Sequence, residues 1–298
     1  MRYGGGMLTA KEMKQLLESA GLAPRKRFGQ CFLIDRNLMN KLLAITGLTG
    51  TETVLEVGPA TGAMTKDLLP NCKRLVAAEI DTGLAEILDQ RLGHDPKLRI
   101  IVGDVLAGKH AIEPAVLDAV APEAHLISNL PYNIATPLLA ECLKNSWNAI
   151  HDRPGVRFDR MTFMIQREMA DRLGAEVDTP DYGPITVLTQ LLGSVRPGPV
   201  VPASAFWPAP KVQSQIVRVD FDADRARDLK DMTILADLLS AAFGQRRKQI
   251  GTVFRKAKLP YAPDALLDAL RTANVTPDQR AQTVRPEQFG TMSNALVQ

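Results

Sequence analysis

Short apolar runs alternate with helical patterns through the first two thirds of the chain, and this alternation constrains the fold most. Helical patterns cover about 62–69, 82–92, 111–120 and 134–145. The runs between them are predicted as buried strands: Thr53–Val57, Arg74–Ile80, Leu98–Val102, His125–Ser128 and Met161–Gln166. Strands joined by helical crossovers form a parallel sheet that helices cover on both faces. The sequence therefore predicts an α/β fold with a mostly parallel sheet.

Patterns on either side extend this core. Thr9 and Glu12 have the spacing of a capping box, which predicts a short helix ending near Gly21. A second helix is expected from about Asp35 to Thr46. Apolar runs near 195–201 and 215–219, separated by a Pro-rich loop, predict antiparallel strands at one edge of the sheet.

The pattern changes after about residue 222. Strand signals stop, and helical patterns recur at 230–243, 246–256, 263–272 and 286–296. We therefore predict two domains. The first covers 1–225, with an N-terminal helix and basic loop in 1–35, and the second is a small all-helical domain over 226–298.

Composition excludes several classes of protein. The chain has 298 residues, 45% of them hydrophobic, which is typical of a globular protein. No apolar run approaches a membrane span, and no signal peptide is evident at the start. The three cysteines are widely spaced and predict neither a disulfide framework nor a metal site. We expect a cytoplasmic monomer without a metal.

Three successive strand ends carry residues suited to a nucleoside cofactor. Gly58 lies in the turn after the first strand, Glu79 follows 21 residues later, and Asp104 ends the third strand. A carboxylate about 20 residues past a glycine turn accepts from both ribose hydroxyls. Asp104 could accept from an adenine amino group. A nicotinamide dehydrogenase is the alternative, but the G-P-A-T-G spacing fits G-x-G-x-x-G poorly and resembles motif I of S-adenosylmethionine (SAM)-dependent methyltransferases.

The fourth strand ends in Asn129-Leu130-Pro131-Tyr132. This stretch resembles the (N/D)-P-P-(Y/F) signature of methyltransferases that act on exocyclic amines. The N6 lone pair of adenine is delocalised into the ring, so the nitrogen is a poor nucleophile. The Asn129 side-chain oxygen and the Leu130 carbonyl can accept the two amino hydrogens and orient that nitrogen. Tyr132 can stack on a purine flipped out of its helix.

Together these residues identify the chain as similar to the KsgA-type small-subunit ribosomal RNA adenine dimethyltransferases, from about Pro24 onward. Further matching stretches are Arg25–Gln30 with Phe32-Leu33, Gln166–Glu168, Tyr182-Gly183, Phe206–Ser214 and Gln245–Lys248. The resemblance implies a Rossmann-like class I SAM-dependent methyltransferase fold. It also implies a two-step transfer to each of two adjacent adenines near the 3′ end of 16S rRNA, within a pre-ribosomal 30S particle.

The same resemblance assigns roles by position. The implied SAM contacts are Cys31, Leu33, Gly58, Glu79, Asp104 and Asn129. The target base would be held by Asn129, Leu130 and Tyr132, with Phe206 as a second aromatic side chain near it or, alternatively, as a loop aromatic that packs the two domains together. The family usually has Asn where this chain has Cys31, and Gly where it has Ala60. A thiol is a weaker hydrogen-bond partner than an amide, and a methyl group restricts the turn. We therefore expect reduced SAM binding unless a backbone contact suffices at Cys31.

Two basic clusters are candidates for contacts with RNA phosphates. One is Arg25, Lys26 and Arg27, and the other is Arg246, Arg247 and Lys248, which is predicted to open a helix. Residues 244–258 contain six Lys and Arg and no acidic residue. Such residues give affinity and position rather than base choice. A solvated surface without a ligand is the alternative.

Other activities share parts of this pattern. Erythromycin-resistance methyltransferases, which act on large-subunit rRNA, share the Asn-Leu-Pro-Tyr core. DNA adenine methylation shares it too, but we find no separate DNA-recognition region in the tail. The Cys31 and Ala60 departures leave open a third activity, in which the chain acts mainly as a ribosome-assembly checkpoint with weak catalysis.

Overall fold

The structure, a computed structural model, describes residues 7–108 and 111–297. The first six residues, part of the stretch from which no signal peptide is expected, lie outside it. The strands are β1 (Phe32–Leu33), β2 (Thr53–Val57), β3 (Arg74–Glu79), β4 (Leu98–Val102), β5 (Glu123–Asn129), β6 (Arg157–Gln166), β7 (Gly193–Val201), β8 (Phe206–Trp207) and β9 (Ser214–Phe221).

The helices before residue 222 are α1 (Ala10–Ser19), α2 (Arg36–Thr46), α3 (Ala63–Leu68), α4 (Thr82–Leu92), α5 (Pro114–Val120), α6 (Tyr132–Ile150), α7 (Arg167–Leu173) and α8 (Pro184–Leu192). Those that follow are α9 (Ala223–Arg227), α10 (Met232–Gly244), α11 (Ile250–Lys256), α12 (Pro263–Thr272) and α13 (Pro286–Ala295). Single 3-10 turns lie at Lys26–Phe28, Leu69–Asn71, Ala203–Ala205 and Ala281–Thr283.

Seven strands form one sheet in the order β4-β3-β2-β5-β6-β9-β7. The first five strands in this order, β4, β3, β2, β5 and β6, are parallel to one another, and β9 runs antiparallel to both of its neighbours, β6 and β7. The predicted parallel sheet and the predicted antiparallel strands at its edge are confirmed. The strand order reverses at β2, since the chain runs outward to β3 and β4 and then returns to β5 on the other side. Ligands of open α/β sheets bind at the carboxyl ends of the strands at such a point.

Successive residues of β2 point to opposite faces of the sheet, which explains why helices cover both. Val54 packs with α2 and α3 in one apolar cluster, and Leu55 packs with α5 and α6 in another. Both side chains are fully buried. A strand buried on both faces is mostly apolar, and Val54, Leu55 and Val57 make β2 so, with Glu56 as the exception.

The N-terminal segment forms a third, smaller apolar cluster at the cofactor end of the sheet. The predicted capping box is present, because the Thr9 hydroxyl accepts from the Glu12 N–H and the Glu12 carboxylate accepts from the Thr9 N–H. Met13 and Leu17 of α1 pack against Phe32 in this cluster. The segment is therefore packed onto the domain rather than extending from it.

The helical region after residue 222 shares its core with the sheet domain. Tyr182, which precedes α8, contacts Phe243 of α10, and Phe243 contacts Phe289 of α13, with ring centroids 5.9 and 5.8 Å apart. The Tyr182 hydroxyl donates to the Val284 carbonyl oxygen at 2.7 Å. The domain boundary predicted after residue 225 falls inside α9 (Ala223–Arg227). The helix predicted over 246–256 begins only at Ile250, because Arg246–Lys248 form the turn after α10.

Candidate cofactor and target-base site

The carboxyl ends of β2, β3 and β5 and the loop after β4 open into one cleft. Every predicted SAM contact lines this cleft: Cys31, Leu33, Gly58, Glu79, Asp104 and Asn129. Leu130 and Tyr132 line it as well. The topology thus brings together residues that lie almost 100 positions apart in the chain.

The turn after β2 has an unusual backbone. Gly58, Ala60 and Gly62 all have positive φ, at 65°, 54° and 82°. Glycine takes this conformation freely, whereas alanine loses about 1 kcal/mol in it. The Ala60 departure therefore strains the backbone at the cleft. The turn still points the Ala60 N–H at Glu79, whose Oε2 accepts at 3.0 Å.

Two carboxylates follow at the next strand ends. Glu79 is 3% exposed, accepts from the Asp81 N–H at 2.9 Å in addition to Ala60, and has its pKa raised by burial. Asp104 is exposed, and its Oδ1 accepts from the Leu106 N–H. Between them Ile80 exposes 41% of its surface in the cleft. An apolar wall with carboxylates on each side could hold an adenosine; that Glu79 faces the ribose and Asp104 the base amino group stays a prediction.

The target side of the cleft is held by backbone groups of two segments. Asn129 donates from Nδ2 to the Cys31 carbonyl oxygen at 3.0 Å. Because only the NH₂ group can donate, this bond leaves Oδ1 as an acceptor, and no donor to it is found among the described residues. The Leu130 N–H donates to the Met164 carbonyl at 3.1 Å, and its own carbonyl accepts no backbone bond among the described residues. Two consecutive residues thus each offer an acceptor to which no described residue is seen to donate.

Cys31 contributes through its backbone. The thiol is half-buried, and burial raises its pKa, which disfavours the reactive thiolate. The contact that orients Asn129 comes from the Cys31 carbonyl, so the loss of the usual Asn side chain leaves it intact. That a backbone contact to SAM suffices at Cys31 stays a prediction.

The two predicted aromatic side chains have different surroundings. Tyr132 is the first residue of α6 and is half-buried in the cleft, and its hydroxyl lies 2.6 Å from Ser214 Oγ. Burial raises the Tyr132 pKa. Phe206 is not among the residues that line this cleft, and its place near the target base stays a prediction. It is 3% exposed in β8, pairs with Leu33 of β1, and packs in the core against the α2 face of the sheet.

Sequence reasoning gave no role to Glu56, which ends the apolar part of β2 and lines the cleft. It is 2% exposed, and its Oε2 accepts from the Thr65 hydroxyl at 2.7 Å. Burial raises its pKa to about 8. The available signal was an acidic residue within an otherwise apolar strand, which is rare without a purpose.

Asp81 is the second residue without a predicted role. It is buried and accepts from Gln30 Nε2 at 3.0 Å and from the Gly83 N–H at 3.1 Å. Arg25 Nη1 lies 3.3 Å from the same carboxylate. Asp81 therefore fastens the N-terminal basic loop to the start of α4, beside the cleft.

The predicted RNA contacts divide into anchored and free cations. Arg25 is paired with Asp81, and Arg246 donates to the Pro180 carbonyl at 3.1 Å. Three others are exposed without an ion-pair partner among the described residues: Arg27, Arg247 and Lys248. Arg27 lies over the Phe28 ring. The side chain of Lys26 is outside what the structure describes.

Neither a metal-ligand cluster nor a membrane-spanning helix is found among the described residues. They contain no group of three or more His, Cys, Asp or Glu that could hold a metal. None of their helices has the length and apolar character needed to cross a membrane.

The sheet order and the acidic strand ends define a Rossmann-like class I SAM-dependent methyltransferase. Two solved structures share the fold. A dimethyladenosine transferase from Plasmodium falciparum has a TM-score of 0.69 at 21% identity and covers 88% of this chain and 95% of its own. The 23S rRNA methyltransferase ErmE has a TM-score of 0.61 at 24% identity and covers 90% and 100%.

Sequence comparison identifies the family. Residues 21–298 match the family described as ribosomal RNA adenine dimethylase. Two relatives named Ribosomal RNA small subunit methyltransferase A come from Phenylobacterium zucineum (strain HLK1) and Shouchella clausii (strain KSM-K16). They are 36% and 32% identical, over 90% and 99% of this chain and 90% and 97% of their own length. The chain belongs to the ribosomal RNA adenine dimethylase family.

Proposed function

We propose that the chain transfers methyl groups from SAM to the N6 atoms of two adjacent adenosines near the 3′ end of 16S rRNA. The observation that carries this proposal is the pair of free acceptors, Asn129 Oδ1 and the Leu130 carbonyl, at the edge of a cleft suited to an adenosine. Relatives over 90% or more of the chain are named for small-subunit rRNA, which supports that substrate.

The geometry suits an amine acceptor. Asn129 Oδ1 and the Leu130 carbonyl each accept one N6 hydrogen of the target adenine, which turns its lone pair toward the cofactor end of the cleft. Bound SAM supplies an electrophilic methyl group on a sulfonium. A nitrogen that gains a methyl group becomes acidic and loses its extra proton to water, so no side-chain base is required. Tyr132 provides the surface on which the flipped purine stacks.

The free cations set how the RNA would lie. Arg27 at the cleft and Arg247 and Lys248 after α10 would bind phosphates, while Arg25 and Arg246 would hold their loops in place. We assign the region 226–298 to rRNA binding on this basis. A partly assembled 30S particle is the expected substrate, and we expect a cytoplasmic monomer.

The large-subunit activity is the second candidate, because the erythromycin-resistance methyltransferases share the Asn129-Leu130-Pro131-Tyr132 stretch. The likeness of this chain to the solved structure of ErmE is at 24% identity and concerns the fold alone. Substrate choice between the two subunits therefore has to be measured.

The test uses radiolabelled SAM with unmethylated small subunits and, separately, large subunits, followed by digestion to nucleosides. Wild type is compared with Asn129→Ala and with a control, Asn37→Ala. The control removes an exposed asparagine at the start of α2. Labelled N6,N6-dimethyladenosine from wild type and Asn37→Ala, but not from Asn129→Ala, is expected on small subunits. Label on large subunits only would select the second candidate. SAM-independent particle binding without label would select the assembly checkpoint.

A further inference from the structure

Ser214 lies outside the cleft, yet its side chain reaches the residue on which the target base would stack. It is the first residue of β9, it is fully buried, and its Oγ is 2.6 Å from the Tyr132 hydroxyl. We propose that Ser214 is a positioning residue that holds the Tyr132 ring in place for the target adenine. This inference rests on the proposed function and names a further residue needed for it.

The bond holds the far end of the ring. Tyr132 stands at the first position of α6, so the helix fixes its Cα, and Ser214 fixes the hydroxyl at the opposite end. With both ends held, the ring cannot swing about χ1 into or out of the cleft. A stacking surface held in this way loses less conformational freedom when the base arrives.

The support itself is rigid. The Ser214 backbone pairs with Gln166 of β6 on one side and Val201 of β7 on the other. The preceding residue, Gln213, is held as well, because its carbonyl accepts from the Arg167 N–H at 3.0 Å. Movement of Ser214 would require three strands to separate, so the hydroxyl is a fixed point for the tyrosine.

A purely structural need for a hydroxyl at this depth is not apparent from the sheet. Thr162 of the neighbouring strand β6 is also fully buried, and its Oγ1 has no hydrogen-bond partner among the described residues. The Ser214 hydroxyl, by contrast, bonds with the side chain of Tyr132. The effect of removing the Thr162 hydroxyl therefore reports the loss of a buried polar group alone. The effect of removing the Ser214 hydroxyl also reports the loss of the hydrogen bond to Tyr132.

The experiment is a double-mutant cycle of Ser214→Ala and Tyr132→Phe, with Thr162→Val as the control that removes an unpartnered buried hydroxyl. Methylation of unmethylated small subunits gives kcat and KM for the RNA, and calorimetry gives the SAM dissociation constant. We expect each single variant to lower kcat/KM for the RNA roughly three- to tenfold, the effect of losing one neutral hydrogen bond. The double variant should be no worse than either single variant. SAM affinity and the control should match wild type.

Two outcomes would overturn the proposal: wild-type kcat/KM in Ser214→Ala, or losses that multiply in the double variant. Tyr132→Phe tests the same bond from the half-exposed side if Ser214→Ala does not fold. A direct readout, the ¹³Cζ resonance of Tyr132 assigned with Tyr132→Phe, should shift in Ser214→Ala, and an unchanged resonance would also refute the tie. If wild type methylates no RNA, the proposed function fails, while the resonance still decides whether the tie exists.

Discussion

Glu56 makes the stability of this protein depend on pH in a direction opposite to that of most carboxylates. Burial at the end of β2 is the main cause of its raised pKa, the Thr65 hydroxyl opposes it, and the neighbouring Glu79 carboxylate adds to it. In the unfolded chain the ordinary value of 4.5 applies, and in the folded protein the value is about 8. Between these values the folded protein binds more protons than the unfolded chain.

The sign and size of the effect follow from this difference. The stabilising contribution of the protonated carboxyl is fully present below about pH 4.5 and is lost as the pH rises to about 8, above which no further loss occurs. At about 1.4 kcal/mol for each pH unit, the loss over this range is at most about 5 kcal/mol. That is a large share of the stability of a typical domain.

The perturbation is Glu56→Gln, which keeps the shape and the acceptor for Thr65 but cannot ionise. Urea unfolding without SAM, followed by circular dichroism, measures stability at about pH 5 and about pH 8.5. We expect the variant to resemble wild type at the lower pH and to be more stable by up to about 5 kcal/mol at the higher one. Glu86→Gln, at an exposed position on α4, is the control for removal of a carboxyl group elsewhere. Equal pH dependence in wild type and Glu56→Gln would refute the reasoning.

Four further predictions concern the cleft and the basic residues. Ala60→Gly should raise the free energy of unfolding by about 1 kcal/mol, because φ is 54° there, and equal urea midpoints would contradict the strain. Glu79→Ala should weaken SAM binding about tenfold or more in calorimetry, since the ribose would lose its acceptor, and unchanged affinity would remove Glu79 from the site. Reversal of charge at Arg247 and Lys248 should weaken binding to small subunits and reduce its salt dependence in filter assays. Arg25→Glu should instead lower thermal stability, because its guanidinium pairs with a buried carboxylate; a change in RNA affinity alone would reverse that assignment.

The sheet could be predicted from the sequence because each strand carries its own signal. Thr53–Val57 and Arg74–Glu79 are mostly apolar runs, the first followed by a glycine turn and the second ending in an acidic residue, and parallel pairing places those ends at one edge. The predicted SAM contacts Glu79 and Asp104 could therefore be placed in the cleft from spacing alone. Their positions depend on local pattern and on a general rule of sheet geometry.

Other features depend on contacts between distant segments, which the pattern does not encode. Phe206 is buried because β8 pairs with β1, two strands of two residues each that carry almost no periodic signal. Arg25 and Arg246 resemble their neighbours in sequence, and only the partners they reach show that they are anchored. The helix α8 was missed because its β-branched residues and the proline at its start obscure the helical period.

The position of β9 in the sheet has a consequence for how the protein forms during synthesis. β9 leaves the ribosome after β7, yet it lies between β7 and β6. Until residue 221 has emerged, one edge of β6 is unpaired and open to pairing with another chain. Ser214 arrives with that last strand, so Tyr132 gains its partner only when the sheet closes. The surface for the target base is thus completed late in translation, after the cofactor end of the cleft has already been made.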